Sequence, residues 1–187
     1  MSRYLTSSDE VFELLVKYLH KVPIAVLGIG NELRRDDGFG SYLARSLAKY
    51  VSKYMGIRDI YIIDAGNAPE LYTDVLRKAS NGSIVLIDAV WLEGGNPGDI
   101  IAFIVSQEKS SGMSSSIIQG VQFVTTHTLD IKIVLRAAGI EEALTLGVVP
   151  YSIEFGVGLT KPVARAFRLL FKAFTRFFME LTQKSLS

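Results

Sequence analysis

Short apolar runs alternate along this chain with segments whose apolar residues recur at helical spacing. The runs have the length and composition of buried strands, and they cover residues 24–28, 59–64, 83–88, 99–105 and 143–149. The segments with helical spacing cover residues 7–19, 39–54, 68–79 and 127–138, together with a C-terminal stretch from Phe167 to Leu181. This alternation predicts strands that are mostly joined by helices.

The connection between the third and fourth predicted strands is an exception. Residues 93–98 are rich in glycine and turn-forming residues, and they are too few for a crossover helix. The strand at 99–105 should therefore run antiparallel to the others. The pattern predicts a three-layer α/β/α sandwich on a mostly parallel five-stranded sheet with one antiparallel strand. We expect one domain over residues 1–187, in which residues 1–22 form an N-terminal helical extension to an α/β domain at 23–187.

Composition narrows the class of protein. The chain has 187 residues, of which 49% are hydrophobic, so a sizeable core is expected and general disorder is excluded. A net charge of +1 provides no field for binding nucleic acid. With no cysteine, disulfides, thiolate metal sites and cysteine nucleophiles are absent. Asp88 and Glu93 interrupt the most apolar region, and no basic stretch leads into an apolar run at the N-terminus, so we expect a cytoplasmic protein without a membrane segment.

Acidic residues follow three of the predicted strands. The first strand leads into Asp36 and Asp37, the second ends at Asp64 and the third ends at Asp88. Because ligands of open α/β sheets bind beyond the carboxyl ends of the strands, this placement favours a shared site. The alternative is incidental, since aspartate is also common in loops and as a helix cap.

His127 is one of two histidines in the chain and follows a segment rich in serine and glycine. A single loop histidine is more often incidental than a ligand. Together with the strand-end carboxylates, however, it would complete a set of oxygen and nitrogen donors suited to a borderline divalent metal. The other histidine, His20, ends the first predicted helix, where the helix dipole accounts for it.

Gly28 and Gly30 also admit a competing interpretation, a nucleotide-binding turn after the first strand. Leu33 stands where the third glycine of that fingerprint belongs, and the neighbouring carboxylates would repel phosphates. The serine elbow and the paired-histidine zinc helix of common hydrolases are both absent. If the protein is a hydrolase, it acts by something other than a serine or cysteine nucleophile.

The segment 28–40, Gly-Ile-Gly-Asn-Glu-Leu-Arg-Arg-Asp-Asp-Gly-Phe-Gly, resembles the opening signature of the hydrogenase maturation endopeptidases. The resemblance extends over residues 23–163 and continues at residues 64–70, 86–90, 126–128 and 147–154. It implies a peptidase that removes the C-terminal extension from the large-subunit precursor of nickel–iron hydrogenases. It also implies nickel ligation by Asp37, Asp88 and His127, and it makes Asp64 the candidate catalytic or substrate-positioning residue. Asn67 departs from the family, which commonly has threonine there.

The resemblance further implies that nickel arrives with the precursor, held by the precursor's thiolates, and accepts Asp37, Asp88 and His127 as additional ligands. Metal loading would then be checked before the chain is cut. Two alternatives remain open at this point: a Rossmann-like nucleotide- or cofactor-binding module, and a non-catalytic nickel chaperone that uses the same ligands.

Two further segments have both a structural and a functional interpretation. The C-terminal helix places Phe167, Leu170 and Phe174 on one stripe and basic residues opposite, a pattern typical of core helices and also of helices on membranes or partners. We favour packing against the sheet. The segment 106–120 could fold onto a substrate or be an ordinary surface loop.

Overall fold

Eight strands and five α-helices are present in the computed structural model, which describes residues 2–54, 59–106, 117–118, 121–125 and 128–185. The strands are β1 (Ser2–Leu5), β2 (Ile24–Ile29), β3 (Ile60–Gly66), β4 (Ser83–Leu92), β5 (Ile100–Ser106), β6 (Ile117–Ile118), β7 (Val121–Thr125) and β8 (Glu142–Val148). The helices are α1 (Ser8–Tyr18), α2 (Phe39–Tyr54), α3 (Thr73–Lys78), α4 (Thr128–Ala138) and α5 (Lys161–Ser185). Two 3₁₀ turns, Arg35–Gly38 and Pro69–Tyr72, precede α2 and α3.

The central sheet has the strand order β1-β5-β8-β4-β2-β3. Strands β8, β4, β2 and β3 are parallel, and β5 runs antiparallel to both of its neighbours. The predicted α/β fold with one antiparallel strand is therefore confirmed. The short strand β1 was not predicted, and it extends the sheet at the β5 edge, within the segment expected to be only helical.

Two apolar clusters fill the space on either side of the sheet. One contains residues of α1, α2 and α5, including Leu15, Leu43 and Phe174, packed on β2 and β4. The other contains residues of α3 and α4, including Leu76 and Leu135. Helices therefore cover both faces of the sheet, as parallel strands that are buried on both sides require.

The C-terminal helix α5 belongs to the core. Leu170, Phe174 and Phe178 on its apolar stripe are fully buried. On its polar side, the guanidinium of Arg176 lies 3.8 Å from the ring centre of Phe12 and pairs with Asp9 of α1. The basic residues of α5 are thus compatible with intramolecular packing. No helix in the described ranges is long and apolar enough to cross a membrane.

The third predicted strand is longer than expected. Strand β4 continues four residues beyond Asp88 to Leu92, and its last part pairs with β7 instead of β2. Asp88 therefore lies within a strand, just beyond the point where pairing with β2 ends at Gly28–Ile87. Similarly, the helix predicted at 68–79 is divided into a 3₁₀ turn and the short α3. Most of the segment 106–120 lies outside the described residues.

The packing of α5 can be tested by removing one buried ring. We expect Phe174→Ala to lower the free energy of unfolding by about 3 to 5 kcal/mol, because it leaves a cavity in the cluster that joins α5 to the sheet. Urea denaturation followed by circular dichroism measures the loss. Phe155→Ala is the matched control, since Phe155 is 83% exposed and its ring contributes little to the core. Equal stability of the two variants would contradict this packing.

Candidate functional site

The loop between β2 and α2 is held against the sheet by direct contact between backbones. A Cβ atom on Gly28 would lie 2.1 Å from the carbonyl oxygen of Gly40, and one on Gly40 would lie 2.2 Å from that of Ile87. Neither position has space for a side chain. The start of α2 therefore packs directly on β2 and β4, which brings the preceding turn with Asp37 close to the strand that carries Asp88.

A third glycine fixes the position of the turn itself. Gly30 has φ +146°, and a Cβ atom there would lie 1.9 Å from the carbonyl oxygen of Asp37. In addition, Ser41 donates a hydrogen bond of 2.9 Å to the carbonyl oxygen of Gly30. The space beside these glycines is occupied by the chain's own backbone. The glycines therefore serve close packing, which speaks against the nucleotide-binding interpretation.

Asp37 and Asp88 are both buried beside the point where the strand order reverses. From β2 the chain continues to β3 on one side and returns to β4 on the other, so β2 and β4 flank the switch point at which open α/β sheets bind ligands. Asp37 is 5% exposed and Asp88 is 0% exposed. Asn31 N–H donates to Asp37 Oδ2 at 3.4 Å, and Ala89 N–H donates to Asp88 Oδ1 at 2.8 Å. The 3₁₀ turn that carries Asp37 packs against β4, the strand that carries Asp88, so the two buried carboxylates belong to neighbouring elements at the switch point.

Asp36, the neighbour of Asp37, has a different function in the structure. It is fully buried and accepts hydrogen bonds from the backbone N–H groups of Tyr151, Ser152 and Thr160 at 2.9, 3.1 and 2.7 Å. The hydroxyl of Thr160 donates a further bond of 2.7 Å. Asp36 therefore fastens the loop 149–160 to the turn that carries Asp37.

Asp64 lies in a separate, open cleft. It is level with Gly28 in the pairing of β2 with β3, whereas Ile87 is level with Gly28 on the opposite side of β2. Two strand spacings, roughly 10 Å, therefore separate the backbones at Asp64 and Ile87. The cleft has a volume of about 340 Å³ and is lined by residues that include Gly30, Asn31, Glu32, Arg45, Asp64 and Tyr72.

Arg45 joins Asp64 to Glu32 in this cleft. Its Nε and Nη2 donate to Asp64 Oδ2 at 3.1 and 2.7 Å, and its Nη1 donates to Glu32 Oε2 at 3.0 Å. The hydrogen bond to Asp64 raises the pKa of the Arg45 guanidinium above its already high usual value, and the charges of Asp64 and Glu32 act in the same direction. Because the Arg45 side chain is largely exposed, such a pair contributes at most about 1 kcal/mol to stability.

Of the four residues selected from the sequence, three can be located. Asp37 and Asp88 are buried on neighbouring elements at the switch point, Asp64 lies in the adjacent cleft, and His127 lies outside the described residues. Within the described ranges, no group of three or more histidine or acidic side chains could hold a metal ion. The roles assigned to these residues stay predictions.

Sequence reasoning did not select Arg45 or Glu32. Arg45 is an exposed residue of α2 whose partners are distant in sequence, at positions 32 and 64. No local motif indicates such a pairing. The one available signal is the position of Arg45 four residues after Ser41, which places both on the side of α2 that lines the cleft.

An open α/β sheet covered by helices on both faces, with buried acidic residues at its switch point, is typical of an enzyme with its site at that edge. Comparison with known proteins identifies the family. The family model described as HycI, hydrogenase maturation protease, matches residues 42–176, more than two thirds of the chain. The chain therefore belongs to the hydrogenase maturation protease family and is a peptidase. The match contains Asp64, Asp88 and His127 and begins after Asp37.

Individual relatives agree with this assignment. A curated protein of Methanocaldococcus jannaschii, named "Putative hydrogenase maturation protease", is 29% identical over 148 residues, which is 76% of this chain and 80% of that protein. The crystal structure of the NiFe hydrogenase maturation protease HycI from Thermococcus kodakarensis KOD1 matches with a TM-score of 0.64 at 19% identity, over 91% of this chain and 99% of that one. The hydrogenase maturating endopeptidase HybD from E. coli matches with a TM-score of 0.58 at 22% identity, over 84% and 92%. These structures share the fold.

The structural role of Asp36 gives a direct test. We expect Asp36→Ala to lower the free energy of unfolding by about 3 to 5 kcal/mol, because three backbone N–H groups and a hydroxyl would lose a buried, charged acceptor. Chemical denaturation provides the measurement. Asp74→Ala is the control, since Asp74 has an 88% exposed side chain and one surface ion pair. A loss no greater than that of the control would show that Asp36 does not hold the loop.

Proposed function

We propose that this peptidase removes the C-terminal extension from the large-subunit precursor of a nickel–iron hydrogenase, after nickel insertion and in the cytoplasm. In this proposal Asp37, Asp88 and His127 bind nickel carried by the precursor, and Asp64 acts on the peptide in the neighbouring cleft. The single observation that carries the proposal is the burial of Asp37 and of Asp88 on two elements that pack against each other at the switch point of a hydrogenase maturation protease fold.

The chemistry of the donors supports a cation as ligand. Bringing two carboxylates into a region shielded from water is unfavourable unless positive charge or hydrogen bonds compensate. A divalent ion arriving with the precursor would add positive charge to the hydrogen bonds that both carboxylates already accept. Carboxylate oxygen combined with imidazole nitrogen suits a borderline metal such as nickel. The free protein would then present a preformed half-site, and the precursor would supply the metal as part of the substrate.

The path of the chain supports the participation of His127. Strand β7 ends at Thr125, which pairs with Val90, two residues beyond Asp88 on β4. The pairing is antiparallel, so the chain advances along β7 in the direction of Asp88. His127 follows Thr125 by two residues. The described part of β7 therefore delivers the chain to the vicinity of Asp88.

The distance between the proposed nickel site and Asp64 suits an extended peptide as substrate. The backbones at Asp64 and at Ile87, the residue before Asp88, are about two strand spacings apart, roughly 10 Å, which an extended peptide covers with three residues. Nickel held at the buried pair would fix the register of the precursor, and the segment to be cut would lie in the cleft beside Asp64. When bound, the metal supplies recognition and charge, and the residues of this chain hold and orient the peptide.

The surroundings of the site suit a protein as substrate. Leu33, Tyr151, Phe155 and Val157 are exposed apolar residues on the two loops that frame the turn with Asp36 and Asp37. The loops are held together, because Gly156 N–H donates to Leu33 O and Arg35 N–H donates to Gly156 O. Exposed apolar side chains on a fixed frame are typical of surfaces that bind other proteins.

The nickel-dependent step can be tested with two forms of the precursor. We expect the wild-type protein to cleave the nickel-loaded precursor and to leave the metal-free precursor intact, as followed by electrophoresis and mass spectrometry. His127→Ala, Asp37→Ala and Asp88→Ala should each reduce cleavage by more than about 100-fold, because each removes a proposed metal contact. Asp74→Ala, on the exposed surface of α3, should cleave normally.

Normal processing by His127→Ala, with an unchanged melting temperature, would refute nickel recognition as proposed. Equal cleavage of the loaded and metal-free precursors would do the same. If nickel binds through Asp37, Asp88 and His127 but no precursor is ever cut, the chaperone alternative would be favoured instead.

The exposed apolar rim gives an independent prediction. We expect Phe155→Ala to raise the KM for the folded precursor by about 10-fold, since an exposed aromatic residue at an interface often contributes 1 kcal/mol or more to binding. The kcat should remain within twofold of wild type. Cleavage kinetics at several precursor concentrations separate the two constants, and Val16→Ala, on the exposed side of α1, is the control. An unchanged KM would exclude this rim from the contact with the precursor.

A further inference from the structure

A single guanidinium connects three separate elements in the cleft. Arg45 belongs to α2, Asp64 to β3 and Glu32 to the loop after β2. The Glu32 and Asp64 side chains are each 27% exposed, so both are partly shielded and both face the same cation. The cleft that they line is the one in which the proposed function places the peptide.

Both carboxylate oxygens of Asp64 are engaged. Oδ2 accepts two bonds from Arg45, and Oδ1 accepts a bond of 3.3 Å from the backbone N–H of Gly66. A carboxylate bound at both oxygens from two directions has a defined rotation about its side-chain bonds. The hydrogen bond from Gly66 alone would not hold Oδ2 in place, so the orientation of the Asp64 carboxylate depends on Arg45.

Glu32 in turn holds Arg45. Its carboxylate accepts from Arg45 Nη1 at 3.0 Å and lies 2.9 Å from Nη2, on the side of the guanidinium away from Nε. The planar guanidinium is thus fixed at both ends, which a lysine ammonium could not achieve, because it has no fork of donors. Glu32, Arg45 and Asp64 therefore form a chain of contacts that ends at Asp64 in the cleft.

We propose that Arg45 is a positioning residue, which holds the carboxylate of Asp64 in one orientation toward the peptide to be cleaved and is itself held by Glu32. The proposal rests on the proposed function for the identity of the substrate. Arg45 acts through Asp64 and takes no part in the buried pair at Asp37 and Asp88. It therefore affects the cleavage step and leaves recognition of the loaded precursor unchanged.

A surface arginine with similar exposure offers a matched comparison. Arg77 has a side chain that is 58% exposed and pairs with Asp74 on α3, while the Arg45 side chain is 59% exposed. Substituting either residue removes one exposed arginine and its ion pairs. A kinetic difference between the two variants can therefore be attributed to the position of Arg45 in the cleft.

The kinetic experiment compares Arg45→Met, Arg45→Lys, Glu32→Gln and Arg77→Met on the nickel-loaded precursor. We expect Arg45→Met to lower kcat by about 10- to 100-fold with KM within twofold, because small displacements of a reacting group are costly. Arg45→Lys should recover part of the loss, and Glu32→Gln should show a smaller loss than Arg45→Met. Arg77→Met should behave as wild type, and all four should melt within a few degrees of wild type.

A spectroscopic readout makes the proposal testable without cleavage. The amide resonance of Gly66 reports the hydrogen bond to Asp64 Oδ1 in a nitrogen–proton NMR spectrum. In Arg45→Met we expect this resonance to move most of the way to its position in Asp64→Ala. In Arg77→Met it should not move.

Arg45 would be excluded as a positioning residue if the Gly66 resonance of Arg45→Met stayed at the wild-type position. An increase in KM alone for Arg45→Met would also overturn the proposal, since it would indicate direct binding of the precursor. If the wild-type protein cuts no precursor at all, the proposed function fails, and the Gly66 resonance still decides whether Arg45 orients Asp64.

Discussion

Contact between the backbones of β2, β4 and the start of α2 is the constraint on which the site depends. It exists because residues 28 and 40 are glycines, and any Cβ atom at these positions would overlap a carbonyl group. This contact fixes where α2 begins. The turn before α2 must therefore lie over the end of β2. The positions of Asp36, Asp37 and Arg45 all follow from it, since the first two precede α2 and the third is part of it.

The acidic residues around this contact are used in three physically different ways. Asp36 has its charge compensated by backbone N–H groups and holds two loops together. Asp64 has its charge compensated by a guanidinium in an open cleft. Asp37 and Asp88 are buried at the switch point, and each accepts a hydrogen bond from a backbone N–H group. Carboxylates of the same chemical type thus differ in role because their surroundings differ.

The fold and part of the site could be predicted from the sequence because the relevant signals are local. Strand and helix periods identify β2, α2 and β4, and the short connection at 93–98 identifies β5 as antiparallel. The strands β1, β6 and β7 were missed, since their few residues carry little periodicity and the strands form only by pairing with others. The end of β4 was misplaced at Asp88 because an acidic residue usually interrupts a strand, whereas here β7 continues the pairing.

The sequence by itself determined the α/β class, the family and the approach of Asp37, Asp64 and Asp88 to one edge of the sheet, because strand direction and the order of elements are encoded locally. Only the tertiary structure decided that Asp36 anchors the loop 149–160 while Asp37 accepts a hydrogen bond from Asn31 in its own loop, although the two are adjacent in sequence. It also decided that Asp64 shares Arg45 with Glu32. These distinctions depend on partners at positions 151–160, 45 and 32, and contacts between such distant residues arise only when the chain folds. The acidic residues that the sequence analysis assigned to one shared site therefore occupy three different environments, each defined by the residues that pack against it.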